Sequence, residues 1–540
     1  MPKVLITDKL SEQGLSIIEE VAEIIYEPGM SPEKIKEIIK DCDGMLIRSG
    51  TQVTEEILQA CSSKMKVIGR AGVGVDNINL KVATEKGIIV VNSPDGNTIA
   101  AAEQTISLMT SLARYISPAD SSLKSGKWNR NNFIGVELRN KILGIIGLGK
   151  IGSHVAKIAN AIGMKVYAFD PMASKEKAKS LNILLVDDIN EIWTQSDFIS
   201  LHVPKTDKTV NLINKEVINK MKSTVRIINC ARGGVVNERD ISEALKENKI
   251  AGIAIDVFEQ EPITPDNFLL QIIKEDEKLA KKIILTPHLG ACTEEAQINV
   301  AIDVAREIKN ILSGKFAKNA VNLSGLNNSG ISELNIYMNL CELLGSFLFQ
   351  FSNGTKPKSL AIKVSGEELI NKNIEPLVLS AVKGFLSSKL ESITLVNARL
   401  ISKERNINII STKINEKTNY SDEIFVEAQY ENEIFSIGGT LEKNKELVIT
   451  QLNEYNFFLR PSKNILLSIH KDKPGIIAQI SKLLGEKNIN ISGMTLSRKN
   501  SGKDAMMMCS TDEFINSNML EQIKNISYIN QAKNIKLKIL

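Results

Sequence analysis

The stretch KILGIIGLGKIGSHVAKIANAIG, residues 141–163, decides the fold. Residues 141–146 form an apolar strand that runs straight into GLGKIG, with Gly147, Gly149 and Gly152. The segment that follows carries Ile151, Val155, Ile158 and Ile162 at helical spacing, and Gly163 stands where a helix C-cap belongs. Gly147 permits a tight turn. Gly149 lets the backbone approach a pyrophosphate, and Gly152 lets helix and strand pack closely. The helix N-terminus offers free N–H groups and a positive dipole end to phosphates. A second strand over 165–169 ends in Asp170, 18 residues after Gly152. That is close to the ~20 expected for the carboxylate that accepts from the ribose hydroxyls. Such a carboxylate repels a 2′-phosphate, so the reading favours NAD over NADP.

Upstream, strands over 4–6, 45–47, 67–69 and 88–91 and a helix over 15–21 alternate as parallel βαβ units. No Gly-rich fingerprint occurs among them, so this unit is not the cofactor domain. The turn SPDGN, 93–97, leads to a helix over 98–114, and a second long helix spans 293–312. Two long helices bracketing one wound unit predict an insertion: a substrate domain over 1–97 and 288–320, interrupted by a cofactor domain over 98–287. The charged stretch KEDEKLAKK before residue 283 predicts a solvated helix.

Residues 322–330 are a linker by composition. A further domain over 321–457 mixes helix and strand patterns with no site chemistry. The last segment, 463–540, reads β-α-β-β-α-β, with strands over 465–469, 491–497, 505–509 and 534–540 and helices starting near Gly475 and Asn516. That order is ferredoxin-like. The fold class is therefore α/β: a Rossmann-type doubly wound domain inserted in a flavodoxin-like one, then an α+β domain and a ferredoxin-like module.

The 540 residues are ample for several cores. With 67 basic against 63 acidic residues the net charge is +4, which gives no argument for a nucleic-acid or membrane partner. No apolar run reaches the ~20 residues that span a bilayer, and MPKVLITDKL is not a signal peptide. The six cysteines form no CxxC pair, so no metal site is suggested. Free thiols fit a reducing compartment, and the expected location is cytoplasmic.

Reduction of a keto acid by hydride requires a proton donor for the developing alkoxide and a cation for the carboxylate. Four histidines compete for the first role. His154 lies inside the fingerprint helix, His202 ends a strand, and His470 is in the terminal module. His288, in TPHLGAC after a strand over 283–285, lies at a carboxyl-end loop, where open α/β sheets place ligands. Arg232, in NCARGGVV, stands between strand and turn with glycines behind it, and its planar guanidinium suits a carboxylate. Glu259 or Glu261, in FEQEP, is the acidic partner that would fix the His288 tautomer.

GLGKIG, NCARGG, DVFEQEP and PHLGA in this order resemble the D-isomer-specific 2-hydroxyacid dehydrogenases. The resemblance implies a catalytic set of Arg232, Glu261 and His288, preferring Glu261. It implies an NAD site lined by Val73, Gly147, Gly149, Lys150, Ile151, Gly152, Asp170, Val203, Cys230, Ala231, Arg232, Asp256, His288, Gly290 and Ala291. Val73 and Val203 stand where some relatives carry Thr, and Lys150 where Arg is frequent.

Arg48 in LIRSGTQVT, Arg70 in VIGRAGVGVDN and Arg130 in KWNRNNF add cations beside glycine-exposed N–H groups, which suits a phosphate. GRAGVGVDN and SPDGNT resemble the branch of the family that oxidises 3-phospho-D-glycerate to 3-phosphohydroxypyruvate at the head of phosphorylated serine biosynthesis. The resemblance implies that Arg48, Arg70 and Asn97 contact the substrate and that Arg130 arrives from a neighbouring segment or subunit. LLSIHKDKPGIIAQISKLLGEKNINISGM, 466–494, resembles an ACT domain. This implies a homodimer or homotetramer, and His470, Asp472 and Asn490 as contacts for an L-serine effector. The alternatives are a dehydrogenase for glycerate or lactate and a dinucleotide-sensing corepressor.

Overall fold

The computed structural model describes residues 1–323, 331–352, 354, 356–390, 392–415, 419–498 and 503–538. The part of the linker over 324–330 lies outside the described residues.

The first sheet holds β1 Lys3–Ile6, β2 Glu23–Tyr26, β3 Gly44–Ile47, β4 Val67–Arg70 and β5 Ile89–Asn92, in the order β2-β1-β3-β4-β5 and all parallel. Leu5, Ile6, Met45, Leu46 and Ile47 are fully buried, because helices cover both faces. The edge strand β2 was not expected from the sequence. Its four residues, EIIY, are too short to show a period. The sheet gains a further edge past residue 318: Val321 donates to the Val90 carbonyl at 2.7 Å, and Ala320 bridges Val91 in antiparallel fashion. Asn322 then accepts from Val90 N–H and donates to the Ile88 carbonyl.

The second sheet holds β6 Ile142–Ile146, β7 Lys165–Phe169, β8 Leu184–Leu185, β9 Phe198–Leu201, β10 Arg226–Asn229, β11 Gly252–Ile255 and β12 Ile283–Leu285. The order β12-β11-β10-β9-β6-β7-β8, all parallel, reverses direction between β6 and β9. That switch point opens a crevice at the carboxyl ends of both strands. Helix Thr98–Arg114 packs on this sheet, whereas helix Glu294–Leu312 packs on β4 of the first. The chain thus crosses twice, near 93–98 and 288–294, and leaves a cleft between the sheets. The KEDEKLAKK region corrects the expectation of one solvated helix. Helix Phe268–Glu275 buries Leu269 and Ile272, and Asp276 breaks the run by capping a new helix, Glu277–Ala280.

The third sheet holds β13 Ser359–Gly366, β14 Asn408–Ile414, β15 Asp422–Gln429, β16 Ile434–Leu441, β17 Leu447–Leu452 and β18 Tyr455–Leu459, in the order β14-β13-β15-β16-β17-β18. Helices Ile331–Phe351 and Glu375–Ser387 pack against each other through Gly345, where an added Cβ would lie 2.8 Å from Phe385 N. The fourth sheet holds β19 Asn464–Lys471, β20 Ile491–Arg498, β21 Asp504–Thr511 and β22 Ile529–Lys536, in the antiparallel order β20-β21-β19-β22. The last strand ends earlier than expected from the apolar tail. Its edge is met by Gln350, which both donates to and accepts from the Lys536 backbone at 2.9 Å.

Candidate active site

The GLGKIG turn follows β6 at the switch point. Gly147 adopts φ +94°, and Gly149 is the N-cap of helix Lys150–Ile162 without a side-chain cap. A Cβ on Gly149 would meet nothing within 4 Å, so the helix N-terminus is bare and faces open space. These features fit a dinucleotide pyrophosphate. Asp170 ends β7, with one oxygen accepting from Leu148 N–H at 2.7 Å and the other from Met172 N–H at 2.8 Å. It therefore sits at the edge of the glycine turn, where a ribose would lie. Lys150 reaches across the cleft and pairs with Asp95 of the crossover turn.

Asn229 shapes the turn after β10. Its Oδ1 accepts from Ala231 N–H at 3.0 Å, and its amide donates to the Arg232 carbonyl at 3.0 Å. Cys230 is enclosed there, and desolvation pushes its thiol up to about 12, which rules out a thiolate at neutral pH. The Arg232 guanidinium donates to the Ala231 carbonyl at 2.7 Å and pairs through Nε with Asp76 at 3.3 Å.

Asp256, expected to line the cofactor, is fully buried in this structure. Its carboxylate accepts from Thr286 Oγ1 at 2.6 Å and from the N–H groups of Leu289 and Gly290 at 2.8 Å. Its carbonyl accepts from His288 N–H at 2.9 Å. This clamp holds His288 at φ +56°, a left-handed conformation that costs a non-glycine residue on the order of 1–3 kcal/mol. The ring is thereby aimed at Glu261: Nδ1 lies 2.7 Å from Glu261 Oε2, and Glu261 Oε1 accepts from Phe258 N–H at 2.9 Å. Glu259 is exposed and spends its N–H on Glu238, so the geometry selects Glu261 as the partner. Burial alone would raise the Glu261 carboxyl. The hydrogen bonds from His288 and Phe258, with the charges of His288 and Arg232, outweigh it and hold the carboxyl below its ordinary range. His202, by contrast, is pushed down to about 4 by desolvation and shares a 2.8 Å bond with Ser200, so it is a neutral structural residue.

Arg48 directly follows β3, and Arg70 ends β4. Asp8 accepts from Arg48 N–H at 2.8 Å, and Asn77 ties the Arg48 and Thr51 carbonyls at 2.7 Å. Arg70 is pushed down to about 10, first by burial and then by the charge of Arg232, with Arg48 adding to it. Buried Arg48 Nε and Arg70 Nε have no hydrogen-bond partner, and neither does Asn97 Oδ1. Asn97 holds the N-cap position of helix Thr98–Arg114 yet makes no capping bond. Arg48 and Arg232 both lie close enough to Arg70 for their charges to act on it.

Two sequence expectations do not converge within one chain. Arg130 lies in an exposed segment whose Phe133 sits under Lys281, 5.6 Å from its ammonium. That is the amino end of β12, and His288 follows the carboxyl end. In the terminal module His470 and Asp472 close β19, and Asp472 pairs with Arg498 at 3.2 Å. Asn490 instead bonds Asp512 at 2.9 Å beside the start of β19. The strand between them is about 20 Å long. Four residues escaped the sequence reading: Asp76, Asp95, Asn77 and Asn229. Asn229 stands directly before the Cys-Ala-Arg turn, and the other three lie inside GRAGVGVDN and SPDGNT, where no role was read for them.

Comparison with known proteins identifies the family. Residues 106–290 match the model of the D-isomer specific 2-hydroxyacid dehydrogenase NAD binding domain. Residues 333–453 match the D-3-phosphoglycerate dehydrogenase intervening domain, and 464–527 the ACT domain. The D-3-phosphoglycerate dehydrogenase of Synechocystis is 43% identical over 99% of this chain and 95% of its own. That of Methanocaldococcus jannaschii is 42% identical over 99% and 100%. Among solved structures, a glyoxylate reductase from Paecilomyes thermophila matches with a TM-score of 0.54 at 25% identity, covering 59% of this chain and 98% of its own.

The chain belongs to the D-isomer specific 2-hydroxyacid dehydrogenase family. Its cofactor is NAD, and along its whole length it is similar to D-3-phosphoglycerate dehydrogenases, with the same intervening and ACT domains.

Proposed function

We propose that this chain oxidises 3-phospho-D-glycerate to 3-phosphohydroxypyruvate, the entry to phosphorylated serine biosynthesis. The observation that carries the reading is the cluster of Arg48, Arg70 and Arg232, with two buried guanidinium Nε groups left without partners. Such mutual repulsion and unmade hydrogen bonds cost stability. A ligand with a carboxylate and a phosphate removes both costs at once, and a lactate-sized acid leaves Arg48 and Arg70 unpaired.

In this reading Arg232 holds the substrate carboxylate, Arg48 and Arg70 the phosphate, and Asn97 adds a further polar contact to the substrate. His288 takes the C2 hydroxyl proton on Nε2, because Nδ1 is committed to Glu261. Glu261 keeps the ring oriented and stabilises the imidazolium that forms. Lys150 and the bare N–H groups of the glycine turn would hold the cofactor pyrophosphate, and Asp170 its ribose. Bound NAD would supply the hydride acceptor for C2.

The working arrangement comprises a substrate domain over 1–97 and 288–320 around the cofactor domain over 98–287. The intervening domain (321–457) and ACT domain (463–540) follow. The reading extends to a cytoplasmic homo-oligomer. Trp128, Ile134 and Leu123 are exposed by 81%, 79% and 57% around Arg130, and an apolar patch of that kind suits a second copy. Arg130 would then serve its neighbour's cleft. A paired ACT module would likewise bring Asn490 of one copy to His470 and Asp472 of another, around L-serine.

NADH oxidation with 3-phosphohydroxypyruvate, hydroxypyruvate and pyruvate, with and without L-serine, tests this. The phosphorylated acid is expected to be preferred by at least tenfold in kcat/KM. Equal rates would overturn the substrate assignment, and an unchanged rate at millimolar serine would overturn the effector assignment.

A further inference from the structure

Arg232 is paired with a carboxylate from the opposite wall of the cleft. Arg232 follows β10 of the second sheet, and Asp76 lies in the loop after β4 of the first. Their Nε and Oδ2 atoms are 3.3 Å apart. Gly74 makes the crossing possible. An added Cβ there would lie 2.5 Å from Arg232 Nη2 and 2.7 Å from Asp76 Oδ2. The neighbouring carboxylates are already committed: Asp8 accepts from Arg48 N–H, and Glu261 from His288 and Phe258 N–H.

A guanidinium has five N–H donors in a fixed plane. Here an Asp76 carboxylate oxygen forms an ion pair 3.3 Å from Nε, and one Nη1 hydrogen goes to the Ala231 carbonyl. What remains is the second Nη1 hydrogen and both on Nη2. A carboxylate can meet that plane in two bidentate ways, along the Nε–Nη2 side or across the Nη1–Nη2 end. With the Asp76 carboxylate standing on the Nε side, the Nη1–Nη2 end is the side left to an incoming carboxylate.

We propose that Asp76 is a positioning residue, which grips Arg232 by its Nε side and so presents the Nη1–Nη2 end to the substrate carboxylate. This rests on the reading of Arg232 as the carboxylate-binding residue. Asp76 comes from the wall that carries Arg48 and Arg70, so it also sets Arg232 against the phosphate-binding groups. The carboxylate-to-phosphate spacing of the accepted acid then depends on this contact. Asp76 is 71% exposed at its side chain, so its truncation removes little packing.

The test is steady-state kinetics on the full chain with Asp76→Ala, Asp76→Glu and Arg232→Met, together with NADH affinity by fluorescence titration. For Asp76→Ala, KM for 3-phosphohydroxypyruvate is expected to rise about tenfold, kcat to fall less than threefold, and the NADH Kd to stay within twofold. Asp76→Glu, which keeps the charge, is expected to recover most of the KM. A KM for Asp76→Ala within twofold of the parent, while Arg232→Met loses substrate binding, overturns the positioning role alone. A parental KM in Arg232→Met overturns the carboxylate reading beneath it. A loss of NADH affinity in Asp76→Ala that glutamate does not restore indicates damage to the loop, and also overturns the proposal.

Discussion

The cleft between the first two sheets and the terminal module both carry residues read from the sequence as ligand contacts, and they treat them in opposite ways. In the cleft, Arg48 Nε, Arg70 Nε and Asn97 Oδ1 are buried without partners, and like charges face one another. In the terminal module, Asp472 is paired with Arg498, Asn490 with Asp512 and His470 with Ser468. The module's own orphaned atoms, Ser510 Oγ and Asn534 Oδ1, belong to none of these three residues. A site prepared for an anion holds its donors open at a cost in stability. A module whose polar groups are satisfied within the chain offers a ligand little until a second copy or a rearrangement reopens them.

The largest effect that would break this comparison is catalytic. His288→Ala is expected to lower kcat for keto-acid reduction by on the order of 10²–10⁴-fold, the usual contribution of a positioned acid–base group. A parental rate in stopped NADH assays would remove the cleft from the chemistry. Next comes Arg70→Met. Loss of its charge-assisted hydrogen bonds is expected to reduce kcat/KM for the phosphorylated acid about 100-fold, on the order of 3 kcal/mol. Hydroxypyruvate should be affected far less. Because the guanidinium is desolvated and repelled by Arg232, the variant should melt no lower than the parent in calorimetry. A clear drop in Tm would mean that the cluster is structural.

The smallest expected effect lies in the terminal module. Burial lowers the His470 pKa from its ordinary value near 6.5, outweighing the opposing pull of Asp472. The unfolded chain then binds a proton that the folded one refuses. Stability is full above about pH 6.5 and is lost as pH falls below it. His470→Gln should flatten part of the fall in Tm between pH 7 and 5. His202 acts with the same sign through a folded value of about 4, so a variant at each position sorts the two regions. An unchanged pH slope in His470→Gln would show that this ring is not held neutral.

Much of the front half was legible because its chemistry is local. The GLGKIG turn, the strand before it and Asp170 after it are consecutive, and each glycine has its own steric reason. His288 could be chosen from four histidines by its place after a strand. Glu261 and Glu259 could not be separated by spacing, since both precede Pro262. The decision came from the Asp256 clamp, which turns His288 toward one of them. Strand β2 was missed because four residues at a sheet edge carry no period. The last strand was placed too late because the apolar tail attracts the assignment, whereas the register is set by pairing with β19.

What the sequence determined by itself was the family of folds, the cofactor turn and the candidates for the reacting side chains. These depend on residue type at short spacing, which a linear chain carries in full. Only the tertiary structure decided which groups face each other across the cleft. Asp76 meets Arg232 from a position 156 residues earlier in the chain, and Asp256 clamps the loop that carries His288. It also placed Asn490 and His470 at opposite ends of β19. Those outcomes come from how two sheets dock and how strands register, and side-chain identity at short range does not encode either.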